Sequence, residues 1–211
     1  MKNFVDDLGI TGYLTIIKRY KDGQEEVVFD DHNIIVSGMG VSFTYMFTGS
    51  GSNSVLDYQI DRFQLGVSGR ALGVTEGILE TSATFSLSGP LGDTYAGAPN
   101  DYGAGSNLFI EKTTQIANSV DVLNQYFALI PANKITRIGD SSVRYTLVVD
   151  EEACNSLSND DGDLSLNEVG MFVKNPTGNA ITKPILVCYR NFSDIFKTSD
   201  FSLIFRWTLN F

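Results

Sequence analysis

The stretch FSLIFRWTLNF, residues 201–211, decides the fold class of this chain. Large apolar residues occupy every second position from Phe201 to Phe211, and polar residues such as Ser202 and Arg206 lie between them. A period of two is typical of a strand that turns one face to the core. We therefore expect a core strand whose apolar face, including Phe211, is buried.

Strand patterns continue outward from this segment. Residues 143–149 alternate in the same way, and residues 12–31 predict an N-terminal hairpin because Lys21-Asp22-Gly23 supplies its turn. Further strands are predicted at residues 58–67, 78–87, 120–130, 164–174 and 184–192. About nine strands separated by turn signals predict one mainly β domain over residues 1–211, an antiparallel β-sandwich with jelly-roll or Greek-key connections.

One segment has a helical period instead. Its apolar residues share one helical face, namely Val36, Met39, Phe43 and Met46 or Phe47. Gly49 is placed to end the helix. We expect one short α-helix near residues 36–48.

A glycine-rich loop is expected at residues 88–107, and compact domains rarely keep so long a loop without a use for it. Its exposed tyrosines, Tyr95 and Tyr102, could stack on sugars, pack against a neighbouring subunit or hold the loop to its own domain. This loop and the N-terminal hairpin, with Tyr13 and Tyr20, are the expected contact elements because both should project from the sandwich.

The composition favours a well-packed and acidic protein. Of the 211 residues, 43% are hydrophobic and only 19% are charged, and the formal net charge is -10. So negative a chain lacks the basic field that attracts nucleic acid or anionic membranes, and we expect neither as a partner. No segment approaches 18 consecutive apolar residues and the N-terminus has no apolar signal region, so neither a membrane span nor standard secretion is expected.

Few residues are candidates for catalysis. His32 is the single histidine, and Cys154 and Cys188 are the two cysteines, which are expected as free thiols. Any histidine-dependent triad would have to use His32, which lies in an expected surface connection. No catalytic residue and no cofactor are expected, and paired carboxylates for glycoside hydrolysis cannot be recognised from sequence.

The acidic loop at residues 159–168 has some features of a calcium loop. With Gly162 at the sixth position, Asp161, Asp163 and Glu168 fall at ligand positions. However, the first ligand position is Leu157, and flanking helices are not expected. A plain acidic turn is therefore favoured over a calcium site.

Both ends of the chain resemble virion proteins of tailed bacteriophages. At the start the similar elements are GYLTI at residues 12–16, Asp22-Gly23, Glu26, Val28, and NIIV with a following glycine at residues 33–38. At the end, LNEVGMF at residues 166–172 resembles their INEIGLF strand and is followed by IFKT at 195–198 and LIFRWTL at 203–209. In the similar proteins the glutamate corresponding to Glu168 belongs to a strand motif.

The resemblance implies a non-enzymatic structural subunit of a phage virion, in the tail, baseplate, neck or fibre-attachment region, assembled in the host cytoplasm. A capsid decoration protein is the alternative within this class. The expected partners are copies of the chain itself, as a symmetric homo-oligomer or ring, and other virion proteins. A carbohydrate-binding module with a glycan held by the loop tyrosines is the alternative from another class.

Overall fold

The computed structural model describes residues 9–48, 58–69, 87–92, 95–96, 109–112, 126–173 and 184–211. Within these residues two antiparallel sheets pack face to face, and one α-helix lies against them. The expected mainly β sandwich with a single short helix is therefore confirmed.

The five-stranded sheet consists, in spatial order, of β2 (Glu25–His32), β1 (Thr11–Tyr20), β13 (Phe201–Asn210), β8 (Ser142–Val149) and β7 (Ile135–Arg137). The six-stranded sheet consists of β3 (Ile34–Ile35), β12 (Ile185–Ile195), β11 (Leu166–Val173), β4 (Ile60–Gly66), β6 (Tyr126–Leu129) and β5 (Phe109–Lys112). A separate ribbon joins β9 (Ser158–Asn159) to β10 (Gly162–Asp163), and a 3-10 turn spans Ala132–Lys134. Neighbouring strands are often distant in sequence, which is typical of Greek-key connections.

Strand β13 lies at the centre of the five-stranded sheet. Its whole length pairs with β1, and its Leu203–Asn210 segment pairs with β8. The inward side chains are buried between the sheets, where the ring centroids of Trp207 and Phe63 on β4 are 5.8 Å apart. The prediction that Phe211 is buried is wrong: this residue follows the end of the strand and is 51% exposed.

The helix α1 spans Gly38–Thr48. Met39 is buried, and Phe43 and Met46 are half-buried against the main core. Phe47 is 84% exposed, so Met46 is the residue that completes the apolar face. The expected stop at Gly49 and, apart from Leu87, the strand expected at residues 78–87 lie outside the described residues.

The outward faces of the two sheets differ. A second apolar cluster covers the outside of the six-stranded sheet, made of Val36, Leu87, Phe127, Phe172, Leu186 and Tyr189. Strand β11 is consequently buried along its entire length. The outward face of the five-stranded sheet combines polar and charged side chains with apolar ones such as Val148 and Ile204. Among the described residues, no helix is long and apolar enough to cross a bilayer.

Two identical substitutions at positions of opposite exposure test this arrangement. Phe205→Ala removes a fully buried ring on β13 and should lower the free energy of unfolding by about 3–5 kcal/mol. Phe47→Ala removes a mostly exposed ring and should change it by less than about 1 kcal/mol. Urea unfolding followed by circular dichroism measures both, and equal losses would contradict the assigned position of β13.

Candidate functional site

The most distinctive surface of the described molecule is a basic groove on the outward face of the five-stranded sheet. Its volume is about 480 Å3. Its cations are Arg19 of β1, Arg206 of β13, Arg144 of β8 and Lys134 of the 3-10 turn. The other described residues that line it are neutral, namely Asn133, Thr136, Ile138, Thr146, Val148 and Ile204.

The strand register explains why these cations share one face. Residues directly opposite each other in neighbouring strands point to the same side of a sheet. Arg206 lies opposite Thr15 of β1 and opposite Thr146 of β8. Arg144 lies opposite Thr208 and opposite Thr136. The residues that alternate with the buried core residues of β13 and β8 therefore form the floor of the groove.

Most of the positive charge in the groove lacks an acidic partner among the described residues. Arg19 pairs with Glu25 at 2.7 Å between Nη2 and Oε1, and both side chains are close to half exposed. The Arg144 Nε donates to Thr208 Oγ1 at 3.5 Å, a neutral contact. Arg206 and Lys134 have no carboxylate partner in the part of the chain that the structure describes. In a chain with a net charge of -10, this groove is a local concentration of the opposite sign.

Strand β2, the edge strand next to β1 in the same sheet, is acidic. It contains four carboxylates, at Glu25, Glu26, Asp30 and Asp31, and no lysine or arginine. Asp31 forms an ion pair with Arg190 of β12, which links this edge to the opposite sheet. No strand of the described residues pairs with the outer side of β2.

Tyr13 and Tyr20, two of the expected contact residues, contact this hairpin. The Tyr13 hydroxyl donates to Asp30 at 3.2 Å, and the Tyr20 hydroxyl donates to Glu26 at 2.7 Å. The bond to Glu26 and partial burial raise the pKa of Tyr20. Each ring is half-buried, so these tyrosines fix the hairpin while leaving part of their surface open.

The glycine-rich loop at residues 88–107 does not project where it is described. Leu91 is 2% exposed, its N–H donates to Leu65 at 2.9 Å, and Ala96 forms a bridge with Ser158. Tyr95 is half-buried against the main core, which corrects the expectation of an exposed ring. Tyr102 lies outside the described residues. Of the three roles expected for Tyr95, its contact with the core fits that of holding the loop to its own domain.

The structure does not bring the three calcium candidates together. Asp161 and Asp163 are exposed on the β9–β10 ribbon, whereas Glu168 is fully buried on β11. In the described part of the chain, no three side chains of the histidine, cysteine or acidic type are grouped so that they could hold a metal ion. The carboxylate of Glu168 is occupied by hydrogen-bond donors of its own protein.

Glu168 connects segments that are far apart in sequence. Its carboxylate accepts hydrogen bonds from the N–H groups of Gly89, Ser88 and Ser68 at 2.6, 3.0 and 3.4 Å, and from the Tyr189 hydroxyl at 3.3 Å. Burial raises its pKa, and the three backbone N–H groups act in the opposite direction. Charge-assisted bonds of this kind offset the cost of burying a carboxylate.

Asn167 extends the same node. Its Oδ1 accepts from the N–H of Gly69 at 2.8 Å, and the Asn191 side chain donates to the Gly69 carbonyl at 3.1 Å. Together Asn167 and Glu168 hold the chain at residues 66–69 and 88–89 against β11. The Asn-Glu pair of the LNEVGMF segment thus acts as a structural clip.

Two glycines leave space for the clip. A Cβ on Gly66 would lie 2.4 Å from Glu168 Oε1, and one on Gly89 would lie 2.3 Å from Ser68 Oγ. Both distances are shorter than real Cβ contacts. Gly66 is therefore required because its backbone lies close to the Glu168 carboxylate, and Gly89 because its backbone lies close to the Ser68 side chain.

The remaining candidates for catalysis are inert or isolated. His32 is exposed on β2, where its ring contacts Tyr13 edge-on at 5.2 Å. Burial raises the pKa of the Cys154 thiol to about 12 and also raises that of Cys188. A thiol with so high a pKa is a poor nucleophile near neutral pH.

Sequence reasoning missed the basic groove. Its arginines were visible as the polar positions of alternating strands, but the sequence does not show that β1, β13 and β8 are neighbours. No protein-family model, curated protein or solved structure matches the chain.

A pair of glycine substitutions tests the clip. Gly66→Ala should lower the free energy of unfolding by about 1–3 kcal/mol because the new methyl group collides with the Glu168 carboxylate. Gly139→Ala is the matched control, since its nearest neighbour would be at an ordinary 3.6 Å. Urea unfolding measures both, and a harmless Gly66→Ala would contradict the close packing.

The titration of Glu168 gives a pH-dependent prediction. Because its folded-state pKa is raised above the ordinary 4.5, the unfolded carboxyl loses its proton first as the pH rises. The stabilisation from this group is therefore complete below pH 4.5 and declines as the pH rises through the raised pKa. Glu168→Gln cannot titrate and should lack this decline. Unfolding free energies of both proteins from about pH 4 to about pH 8 test the sign, and a wild type that gains stability relative to the variant refutes it.

Proposed function

We propose that this chain is a non-catalytic structural subunit of a tailed-phage virion, which acts by associating with copies of itself and with neighbouring proteins. The observation that carries the proposal is the separation of charge on one sheet. The groove of Arg19, Lys134, Arg144 and Arg206 and the acidic strand β2 lie on the same sheet, with β2 at the edge opposite β7. Complementary patches of this kind orient protein–protein contacts.

The motif residues support the same class of function. Glu168 and Asn167 are engaged with the backbone of their own chain, so this motif maintains the fold. A rigid sandwich in which the motif residues hold the structure leaves the sheet face and edges for docking. The assignment to a virion rests on the resemblance of the two ends of the chain to phage proteins.

A specific assembly should be measurable with the purified chain. We expect light scattering after size-exclusion chromatography, at about 0.15 M salt, to show a discrete oligomer whose population grows with protein concentration. Raising the salt to about 1 M should shift the population toward monomer because exposed ion pairs are screened. A chain that is monomeric at every concentration and salt contradicts self-association.

The virion assignment has its own measurement. Quantitative mass spectrometry of purified phage particles from the source of this sequence should find the chain at a fixed multiple copy number. A chain that is absent from intact particles but abundant in infected cells contradicts the assignment. This result would be independent of the oligomeric state in solution.

A further inference from the structure

We propose that copies of the chain join head to tail along the five-stranded sheet. In this interface the acidic strand β2 of one copy lies along the β7 side of the next copy, with its outward carboxylates over the basic groove. This inference rests on the proposed function and identifies the surfaces through which the subunits associate.

Both edges of the sheet are open in the described structure. Strand β2 is the first strand of the five and β7 is the last, and neither has a further neighbour among the described residues. An open edge presents unpaired N–H and C=O groups that can pair with another strand. β2 offers eight residues for such pairing and contains no proline. Addition of a strand to an edge is a common mode of protein recognition.

The charges of the two edges decide whether the interface is symmetric or head to tail. Two β2 strands placed side by side would bring eight carboxylates together, and like charges across strands are destabilising. On the β7 side, β2 meets Lys134, which directly precedes β7, with Arg144 on the next strand, β8, and Arg206 one strand further in. The favoured interface is therefore heterologous, with different surfaces from each copy.

The existing partners of the β2 carboxylates do not prevent this contact. Glu25 is paired with Arg19, but both side chains are more than 40% exposed, and such pairs contribute little. Asp30 accepts from Thr15 at 2.7 Å and from Tyr13, which are neutral donors that leave its charge uncompensated. A carboxylate has about four acceptor positions, so further donors can be added.

An exposed apolar side chain lies on each edge. Val27, on β2, is 60% exposed, and Ile138, which directly follows β7, is 44% exposed. Val27 lies opposite Ile17, which in turn lies opposite the groove residue Ile204, so Val27 is on the outward face. Ile138 also lines the groove. Contact between Val27 of one copy and Ile138 of the next would bury both. The two edges are thus complementary in charge and in apolar surface.

Cysteine cross-linking tests the predicted contact directly. Within one chain the two edges are ~19 Å apart, which is four strand spacings of about 4.8 Å, so no internal disulfide can form between them. We expect mild oxidation of mixed Val27→Cys and Ile138→Cys proteins to give a mixed disulfide dimer. Each variant alone should give much less dimer, and the native thiols are buried. Efficient dimers from Val27→Cys alone would show a symmetric contact and overturn the proposal.

A charge exchange provides a second test. Arg144→Glu with Arg206→Glu reverses the groove, and Glu25→Lys with Asp30→Lys reverses the edge. Each double variant alone should weaken assembly by at least about tenfold in Kd, and mixing the two should restore it, because every contact then joins opposite charges. The matched control is Asp160→Lys with Asp161→Lys, which changes charge on the exposed β9–β10 ribbon and should leave assembly unchanged. Circular dichroism establishes that all variants are folded.

The outcomes separate this interface from the proposed function. A wild type that assembles while both groove and edge variants assemble equally well refutes the interface and leaves the structural-subunit function standing. A wild type that is always monomeric refutes both. A monomer that binds a fluorescent DNA oligonucleotide, and loses that binding in the groove variant, assigns the groove to nucleic acid and overturns the interface.

Discussion

The register of strand β13 is the constraint on which the rest of the described structure depends. Pairing on both sides fixes this strand, and a shift by one residue would place Arg206 in the core and Trp207 in solvent. Each large apolar side chain that is buried contributes roughly 1.5–3 kcal/mol, so such a shift is strongly opposed. The same register sets Arg206 and Arg144 on the outward face. The core therefore determines where the basic groove lies.

The clip formed by Asn167 and Glu168 fixes the six-stranded sheet in a different way. Strand β11 is buried on both faces, so its polar side chains must find partners inside the protein. Glu168 and Asn167 use the backbone of residues 68–69 and 88–89, which lie about 80 to 100 positions earlier in the sequence. A buried carboxylate with several N–H donors joins chain segments that no strand ladder connects. This explains why a motif without catalytic geometry contains an acidic residue.

The fold was predictable because its main signal is local. Alternation in residues 201–209 and 143–149 predicts β13 and β8, and the helical period near residues 36–48 predicts the helix. Phe211 was assigned to the core because the alternation continues past the point where the strand ends. Tyr95 was expected to be exposed because glycine-rich loops usually are, but contacts with strands distant in sequence hold this loop down. The groove required knowledge of strand order, which no local pattern contains.

The charge of the whole chain and the charge of its edges act over different distances. A net charge of -10 repels other copies at long range and keeps the subunits apart, but at physiological salt this repulsion is screened beyond about 8 Å. At contact, the pairing of a carboxylate edge with a cationic groove is screened much less. The acidic edge and the basic groove carry opposite charges and therefore attract each other at contact. Because the surfaces of the proposed interface lie at opposite edges of one sheet, repeated contacts of this kind would add copies in one direction. They would close into a ring where the rotation between copies allows it.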